Sequence, residues 1–198
     1  MSVKDFVQQR RDALIAMRRD FHMYPEPAWL EYRSAEKVAD RLISLGYDVA
    51  LGADVLDLDS RMGLPSDEVM KAAMDRAIKE GANPELVEKM GYGKTAIVAT
   101  MKFGGEGPVV AFRVDMDSND VIEAKEDSHV PTKEGFRSCH DKAMHACGHD
   151  AHMTMGLGLA EYLAAHKDEF KGTIKLILLL AEEGWRCAIA MAEAVVVD

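Results

Sequence analysis

The chain reads as an α/β fold, a mixed sheet with helices on both faces. Three observations predict it. Apolar residues recur at helical spacing over 2–23, 34–45 and 150–165. Runs of strand character occupy 95–102, 109–114 and 173–180, in a β–loop–α–β–α order. Metal-competent residues cluster just past the ends of those runs, where open α/β sheets hold their ligands.

The first helix begins at Ser2, which with Asp5 forms a capping-box pattern, and carries Leu14, Met17 and Phe21 on one face. Pro25-Glu26-Pro27 stops it. A second helix runs from about Ser34 to Leu45, with Val38, Leu42 and Leu45 as its apolar stripe and Gly46 as its stop. A short strand follows over Tyr47 to Ala50. Residues 51–93 read as a helical insertion, with short helices over Ser66–Lys79 and Pro84–Met90, closed by Gly91-Tyr92-Gly93. Thr95–Lys102 and Val109–Val114 then read as strands joined in a hairpin-like way through Gly104-Gly105-Glu106-Gly107-Pro108. Residues 115–149 are polar and aperiodic, a loop long enough to suggest function. A helix over Asp150–Ala165, a strand over Thr173–Leu180 and a helix over Trp185–Ala194 complete the chain.

With 198 residues the chain can bury a sizeable core. Its net charge of −10 argues against nucleic acid and anionic membranes, yet permits a small acidic substrate held by a local Arg or Lys. No apolar run approaches the roughly 20 residues of a membrane span. The start, Met-Ser-Val-Lys-Asp-Phe, lacks an apolar signal core, and three cysteines without framework spacing read as reduced thiols. A cytoplasmic location is the expectation.

In His145-Ala146-Cys147-Gly148-His149-Asp150-Ala151-His152, four metal-competent side chains besides Asp150 fall within eight residues. Thiolate with imidazole suits zinc and can serve manganese or cobalt in a mixed site, and Gly148 lets Cys147 and His149 turn toward one ion. A catalytic metal, a structural metal and a merely His-rich loop are all compatible with these residue types. Glu182-Glu183 adds what a structural site does not need. Of two adjacent carboxylates at a strand end, one can bind an ion while the other accepts a proton from water, although acidic residues also favour the first turn of a helix. Asp115 and Asp117 offer carboxylates that could orient ligating imidazoles, or cap a loop, and Asp150 stands beside His149 for the same supporting purpose. His129, Cys139 and His140 read as loop residues, and Cys187 as a small buried hydrophobe. The strand-end placement predicts that the clusters at 115–117, 147–150 and 182–183 converge on one crevice.

Four segments resemble one known family. Arg18-Arg19-Asp20-Phe21-His22 with Pro25-Glu26 and Glu31, Phe112-Arg113-Val114-Asp115-Met116-Asp117, Met144 to His152, and Ala181-Glu182-Glu183-Gly184 are similar, in order, to the signatures of the aminoacylase/carboxypeptidase-G metallopeptidases, in the hippurate and indole-acetyl-amino-acid hydrolase branch. The insertion from Asp57 to Met90, the Asp127-Ser128-His129 loop and Ser138-Cys139 narrow the resemblance toward members acting on p-aminobenzoyl-glutamate-like substrates.

The resemblance implies a phosphorylase/hydrolase-like metallopeptidase fold, of which residues 1–198 would be the N-terminal portion of the catalytic domain, without the lid and dimerisation domain. It implies two divalent ions, zinc or manganese, with Cys147, His149 and Glu183 as ligands and Cys147 bridging. Glu182 would be the general base that activates water and carries its proton to the leaving amine. The reaction would be hydrolysis of an amide between an acyl or aroyl group and an amino acid, in a protein that is a homo- or hetero-oligomer at full length. Two further His ligands would lie beyond Asp198, so this chain alone would be inactive, or would serve as a metal-binding or assembly fragment needing a partner chain. Two departures bear on fine geometry. Leu179-Leu180 stand where the family has Gln-Pro, and Ser118-Asn119 stand where it has Ala-Leu.

Overall fold

The computed structural model describes residues 1–184 and 186–194. Its elements are α1 (Val3–Met23), α2 (Tyr32–Ser44), β1 (Asp48–Leu51), α3 (Asp67–Lys79), α4 (Pro84–Lys89), β2 (Ile97–Lys102), β3 (Val109–Asp115), α5 (Val130–Lys133), α6 (His149–Ala165), β4 (Thr173–Leu179) and α7 (Ala188–Glu193), with short 3₁₀ turns at Gly52–Asp54 and Lys167–Glu169.

Local chemistry starts the helices where the sequence places the signals. The Ser2 hydroxyl accepts the Asp5 N–H and donates to the Asp5 carboxylate (2.6 Å). Ser66 and Asn83 cap α3 and α4 through Val69 and Glu85, with Pro84 at the first turn of α4. Helix α2 begins earlier than its apolar stripe suggests, at Tyr32. Its first turn is held by a buried carboxylate, since Glu26 accepts the N–H groups of Arg33 (3.0 Å) and Ser34 (2.8 Å). The start expected for the last helix, Trp185, lies outside the described residues.

The sheet has four strands in the order β1-β2-β4-β3. β2 is antiparallel to β1 and to β4, and β3 is parallel to β4. This corrects the expected hairpin: β2 and β3 do not pair, because β4 sits between them. Adjacent strands lie roughly 4.8 Å apart, so the Gly104–Pro108 connection must step across about 10 Å. It passes over the start of β4, where Phe103 N–H donates to the Gly172 carbonyl (2.8 Å) and Thr173 N–H to the Pro108 carbonyl (3.0 Å). A composition of glycine and proline is equally suited to a tight hairpin and to this crossing, which is why the sequence does not separate them.

Helix α6 packs on β3, α2 packs on β1, β2 and α6, and α1 lies along α6. The main core gathers Val38, Leu42, Ile97, Met153, Leu157, Leu176 and Leu178, and α7 joins it through Ala190 and Met191. Gly156 permits the α6–β3 contact, since a Cβ there would stand 2.9 Å from the Val114 side chain. The helices at 67–89 bury a smaller cluster against Tyr32, comprising Ala73, Met74, Ala77, Ala82 and Val87. β3 is an edge of the sheet, and Val109, Val110 and Phe112 on it are exposed. Among the described residues no helix is long and apolar enough to cross a membrane.

Gly172 has φ +86°, and a Cβ added there would collide with the Pro108 carbonyl and lie 2.7 Å from the Gly107 carbonyl carbon. Gly46 has φ +84° with nothing within 4 Å of that position. Gly46→Ala should therefore cost only the left-handed penalty of about 1–2 kcal/mol, whereas Gly172→Ala should cost about 3 kcal/mol or more. Urea denaturation of both variants checks this, and equal losses would mean that the crossing loop yields freely.

Candidate metal centre

The carboxyl ends of β3 and β4 and the start of α6 meet at one place. Asp115 closes β3, and Asp117 follows it. Gly148 takes φ +97° as the N-cap of α6, a left-handed turn that sends Cys147 and His149 to the same side. Glu182 and Glu183 follow β4 immediately after Ala181, a residue with φ +46°. The described ligand atoms of Cys147, His149 and Glu183 all lie within 4.8 Å of one another. A second trio, Asp115, His149 and His152, meets the same criterion and shares His149.

His149 is oriented from behind. Its Nδ1–H donates to the Asp117 backbone carbonyl (2.7 Å), with the Asp117 carboxylate at 3.3 Å. That leaves Nε2 facing Glu182 and Glu183, each at 3.8 Å. The Asp117 carboxylate accepts the Glu183 N–H (2.9 Å), so one residue fixes the imidazole through its carbonyl and the backbone of the glutamate pair through its side chain. His152, one helical turn beyond His149, stacks on it with ring centroids 5.2 Å apart and contacts Asp115 (3.2 Å).

Asp150 turns away from this cluster. Its carboxylate meets His22 Nδ1 (2.7 Å) and Arg18 Nε (2.9 Å), binding α1 to the first turn of α6. The structure thus brings Cys147, His149, Glu182, Glu183, Asp115 and Asp117 together, and gives Asp150 to the packing of α1.

Three residues join the site beyond the expected ligands, base and supporting carboxylates. His152 was legible in principle, because i and i+3 share a helix face. Asn119, at a departure from the family pattern, accepts the N–H groups of Ala146 (3.1 Å) and Cys147 (3.0 Å) through its side-chain oxygen and so shapes the cysteine turn. Glu31 is wholly buried. It accepts Trp29 N–H (3.0 Å) and Ala181 N–H (2.8 Å) on one oxygen and the Thr95 hydroxyl (2.7 Å) on the other. Trp29 and Ala181 are both residues with positive φ, so Glu31 holds two strained positions, one of them next to Glu182. Local spacing carries no signal for contacts this distant.

The electrostatics call for a cation. Four carboxylates converge, with Arg113 beside Asp115 (3.3 Å) and Glu182 (3.8 Å). Asp115 Oδ1, Asp117 Oδ1 and Glu183 Oε1 are buried without hydrogen-bond partners. Burial would lower the His149 pKa, but the Asp117 carboxylate and carbonyl outweigh it and push the imidazole up to about 9. The Cys147 thiol is raised, first by its hydrogen bond to Glu183, then by burial and the surrounding carboxylates. Burial, then the Asp117 charge, pushes Glu31 up to about 8. Unpaired acceptors beside a thiol and an imidazole fit a divalent ion of the zinc–manganese–cobalt class.

The sign of the pH dependence follows. A raised His149 pKa stabilises the metal-free fold fully below pH 6.5, and that stability is lost as pH rises through about 9. The metal-free protein should melt progressively lower between those limits, and His149→Asn should flatten the decline. Parallel melting curves for the two proteins would show that His149 does not carry it.

Comparison with known proteins finds relatives of the chain. Residues 111–198 match the family model of peptidase family M20/M25/M40. The chain is 47% identical to a p-aminobenzoyl-glutamate hydrolase subunit of Escherichia coli K12, over 100% of this chain and 45% of that protein. It is 46% identical to the indole-3-acetyl-aspartic acid hydrolase of Enterobacter agglomerans, over 99% of this chain and 45% of that one. It thus spans under half the length of these relatives. Among solved structures, the Bacillus subtilis YXEP protein, described as a dinuclear metal binding peptidase of the M20 family, superposes with a TM-score of 0.67 at 26% identity, over 98% of this chain and 41% of that chain. Fold, motifs and relatives point the same way: residues 111–198 match peptidase family M20/M25/M40, and the whole chain is similar to part of each of two hydrolases.

Proposed function

We propose that this chain supplies one part of a metal-dependent amidohydrolase site, cleaving the amide between an acyl or aroyl group and an amino acid. The observation that carries this reading is the trio Cys147, His149 and Glu183 with Glu182 standing beside it but outside it. A structural metal is closed by four protein ligands and has no use for a free carboxylate beside them. The neighbouring carboxylate, 31% exposed, is what hydrolysis adds.

Cys147, His149 and Glu183 would hold one ion, and Asp115 and His152, sharing His149, lie where a second could be bound. When bound, the ions supply Lewis acidity, lowering the pKa of a coordinated water to about 7 and polarising the scissile carbonyl. Asp117 keeps His149 in the tautomer that leaves Nε2 free. Glu182 takes a proton from water and hands it to the departing amine. Arg113 lies 3.8 Å from the Glu182 carboxylate.

The two relatives act, by their names, on an aminobenzoyl-glutamate and an indole-acetyl-aspartate. Their acyl groups differ, and both amino acids are acidic. We therefore favour an N-acyl acidic amino acid, p-aminobenzoyl-glutamate-like, as substrate. Zinc and manganese both suit the donor set. The described trios share His149, so they offer too few independent donors to clamp two ions. β3 is an edge with exposed apolar residues, Val109 at 66% and Phe112 at 40%. Both features favour a site completed by further polypeptide, in the same protein or in a partner chain, and an isolated chain without turnover.

The test is to assay the chain with zinc or manganese against p-aminobenzoyl-glutamate, alone and with the remaining segment of the E. coli relative added in trans. No turnover alone and turnover on addition is the expected pattern. In the complemented assay Glu182→Gln should lower kcat about 10²- to 10⁴-fold while metal content stays, whereas Glu183→Gln should lose metal. Turnover by the chain alone would remove the requirement for further polypeptide, and an undiminished Glu182→Gln would remove the base.

A further inference from the structure

A second cluster of metal donors lies apart from the centre above. Glu80, the C-cap of α3, meets Cys139 and His140 of the loop that leads toward Cys147. Their ligand atoms lie within 4.8 Å of one another. We propose that Glu80, Cys139 and His140 form a separate zinc-class site, a structural clasp between the helical segment at 67–89 and the 134–147 loop.

The imidazole is already set as a ligand. His140 Nδ1–H donates to the Pro25 carbonyl (2.7 Å), the usual second contact of a coordinating histidine, and directs Nε2 at Glu80 Oε1 (2.8 Å). A neutral Nε2 and a carboxylate oxygen are both acceptors. At that distance they need a positive charge between them, a proton or a metal ion. Glu80 Oε2 is buried with no hydrogen-bond partner. The loop on the other side is rigidly held: Cys139 N–H donates to the Met23 carbonyl (2.9 Å), and the Ser138 hydroxyl accepts His140 N–H (3.1 Å) and donates to the His140 carbonyl (2.9 Å).

The donors are one nitrogen, one sulfur and one oxygen, a set that suits zinc or cobalt and excludes the all-oxygen preference of calcium and magnesium. Bonds of about 2.0–2.3 Å in a tetrahedron place donors roughly 3.3–3.8 Å apart, so closure asks for shifts of about an ångström. Cys139 is exposed, which leaves its thiol room to rotate and leaves the fourth position open to water. Two guanidiniums lie nearby, and the charges of both bear on Cys139, with Arg76 Nε and one terminal nitrogen buried without hydrogen-bond partners. Arg33 pairs with Asp20 through two bonds (3.1 and 2.9 Å), and the Arg76 charge bears on buried Glu26.

The experiment separates this site from the first. In a Cys147→Ser/His149→Ala background the first trio is broken, and Cys187 is only 2% exposed, so a thiolate-to-cobalt charge-transfer band would have to come from Cys139. The background protein, titrated with Co²⁺, should bind one equivalent and show that band. Adding Cys139→Ser, a mild change at an exposed thiol, should abolish the band and weaken binding about tenfold or more. Zinc should raise the melting temperature of the background protein and leave that of its Cys139→Ser derivative unchanged. A background protein without the band, or a band that survives Cys139→Ser, overturns the proposal.

Discussion

The structure depends on a carboxyl group that water does not reach. Glu31 draws together three segments far apart in sequence: the turn at Trp29, the residues entering β2 at Thr95, and the end of β4 at Ala181. Burying a carboxyl group costs several kcal/mol unless its lone pairs are filled, and here three donors fill them. The arrangement offsets the strain of two residues with positive φ. Ala181 directly precedes the glutamate pair, so the direction of Glu182 and Glu183 is set by a residue 150 positions upstream. Glu26 does comparable work one turn away by holding the start of α2. The N-terminal signature is therefore a brace for the site, and its acidic residues act through the backbone.

A second constraint is charge. The carboxyl ends of β3 and β4 place Asp115, Asp117, Glu182 and Glu183 around one imidazole, and several of their oxygens are buried without donors. Such a concentration is stable only with positive charge in its midst. Without metal, the charge is a proton on His149, pushed up to about 9 mainly by Asp117. A divalent ion takes the place of that proton and of the thiol proton on Cys147, so the groups that hold the metal-free site together are the ones metal binding titrates.

Much of this was legible in the sequence because it is encoded locally. Caps at Ser2, Ser66 and Asn83, the glycine at 148 and the strand-end positions of Asp115 and Glu182 follow from residue type and spacing, and the convergence of the three clusters follows from the rule that sheets keep their sites at strand ends. What was not legible is what depends on tertiary neighbours. The β2–β3 connection has the composition of a hairpin, and only the insertion of β4 tells otherwise. Asp150 sits beside His149 in sequence, yet a helix turns consecutive residues about 100° apart, so it faces α1. Asn119, Glu31, Cys139 and His140 act across 28, 150, 59 and 60 positions respectively, counting from their partners Cys147, Ala181, Glu80 and Glu80.

The first turn of α6 shows how these constraints combine. His149 and His152 project toward the carboxylates, while Asp150 between them projects toward His22 and Arg18. His22 is itself shared with Glu123 (2.9 Å), which accepts His129 (2.8 Å) and Ser138 N–H from the long loop. One helical turn is thus anchored on one side by α1 and the loop, leaving the other side rigid enough to present two imidazoles. Loss of Asp150 would remove the His22 and Arg18 contacts that tie α1 to the first turn of α6, leaving Asp117 as the hydrogen-bond partner that orients His149. The loop that is polar and aperiodic in sequence is, in the fold, the back wall that keeps the metal-facing side of α6 in register.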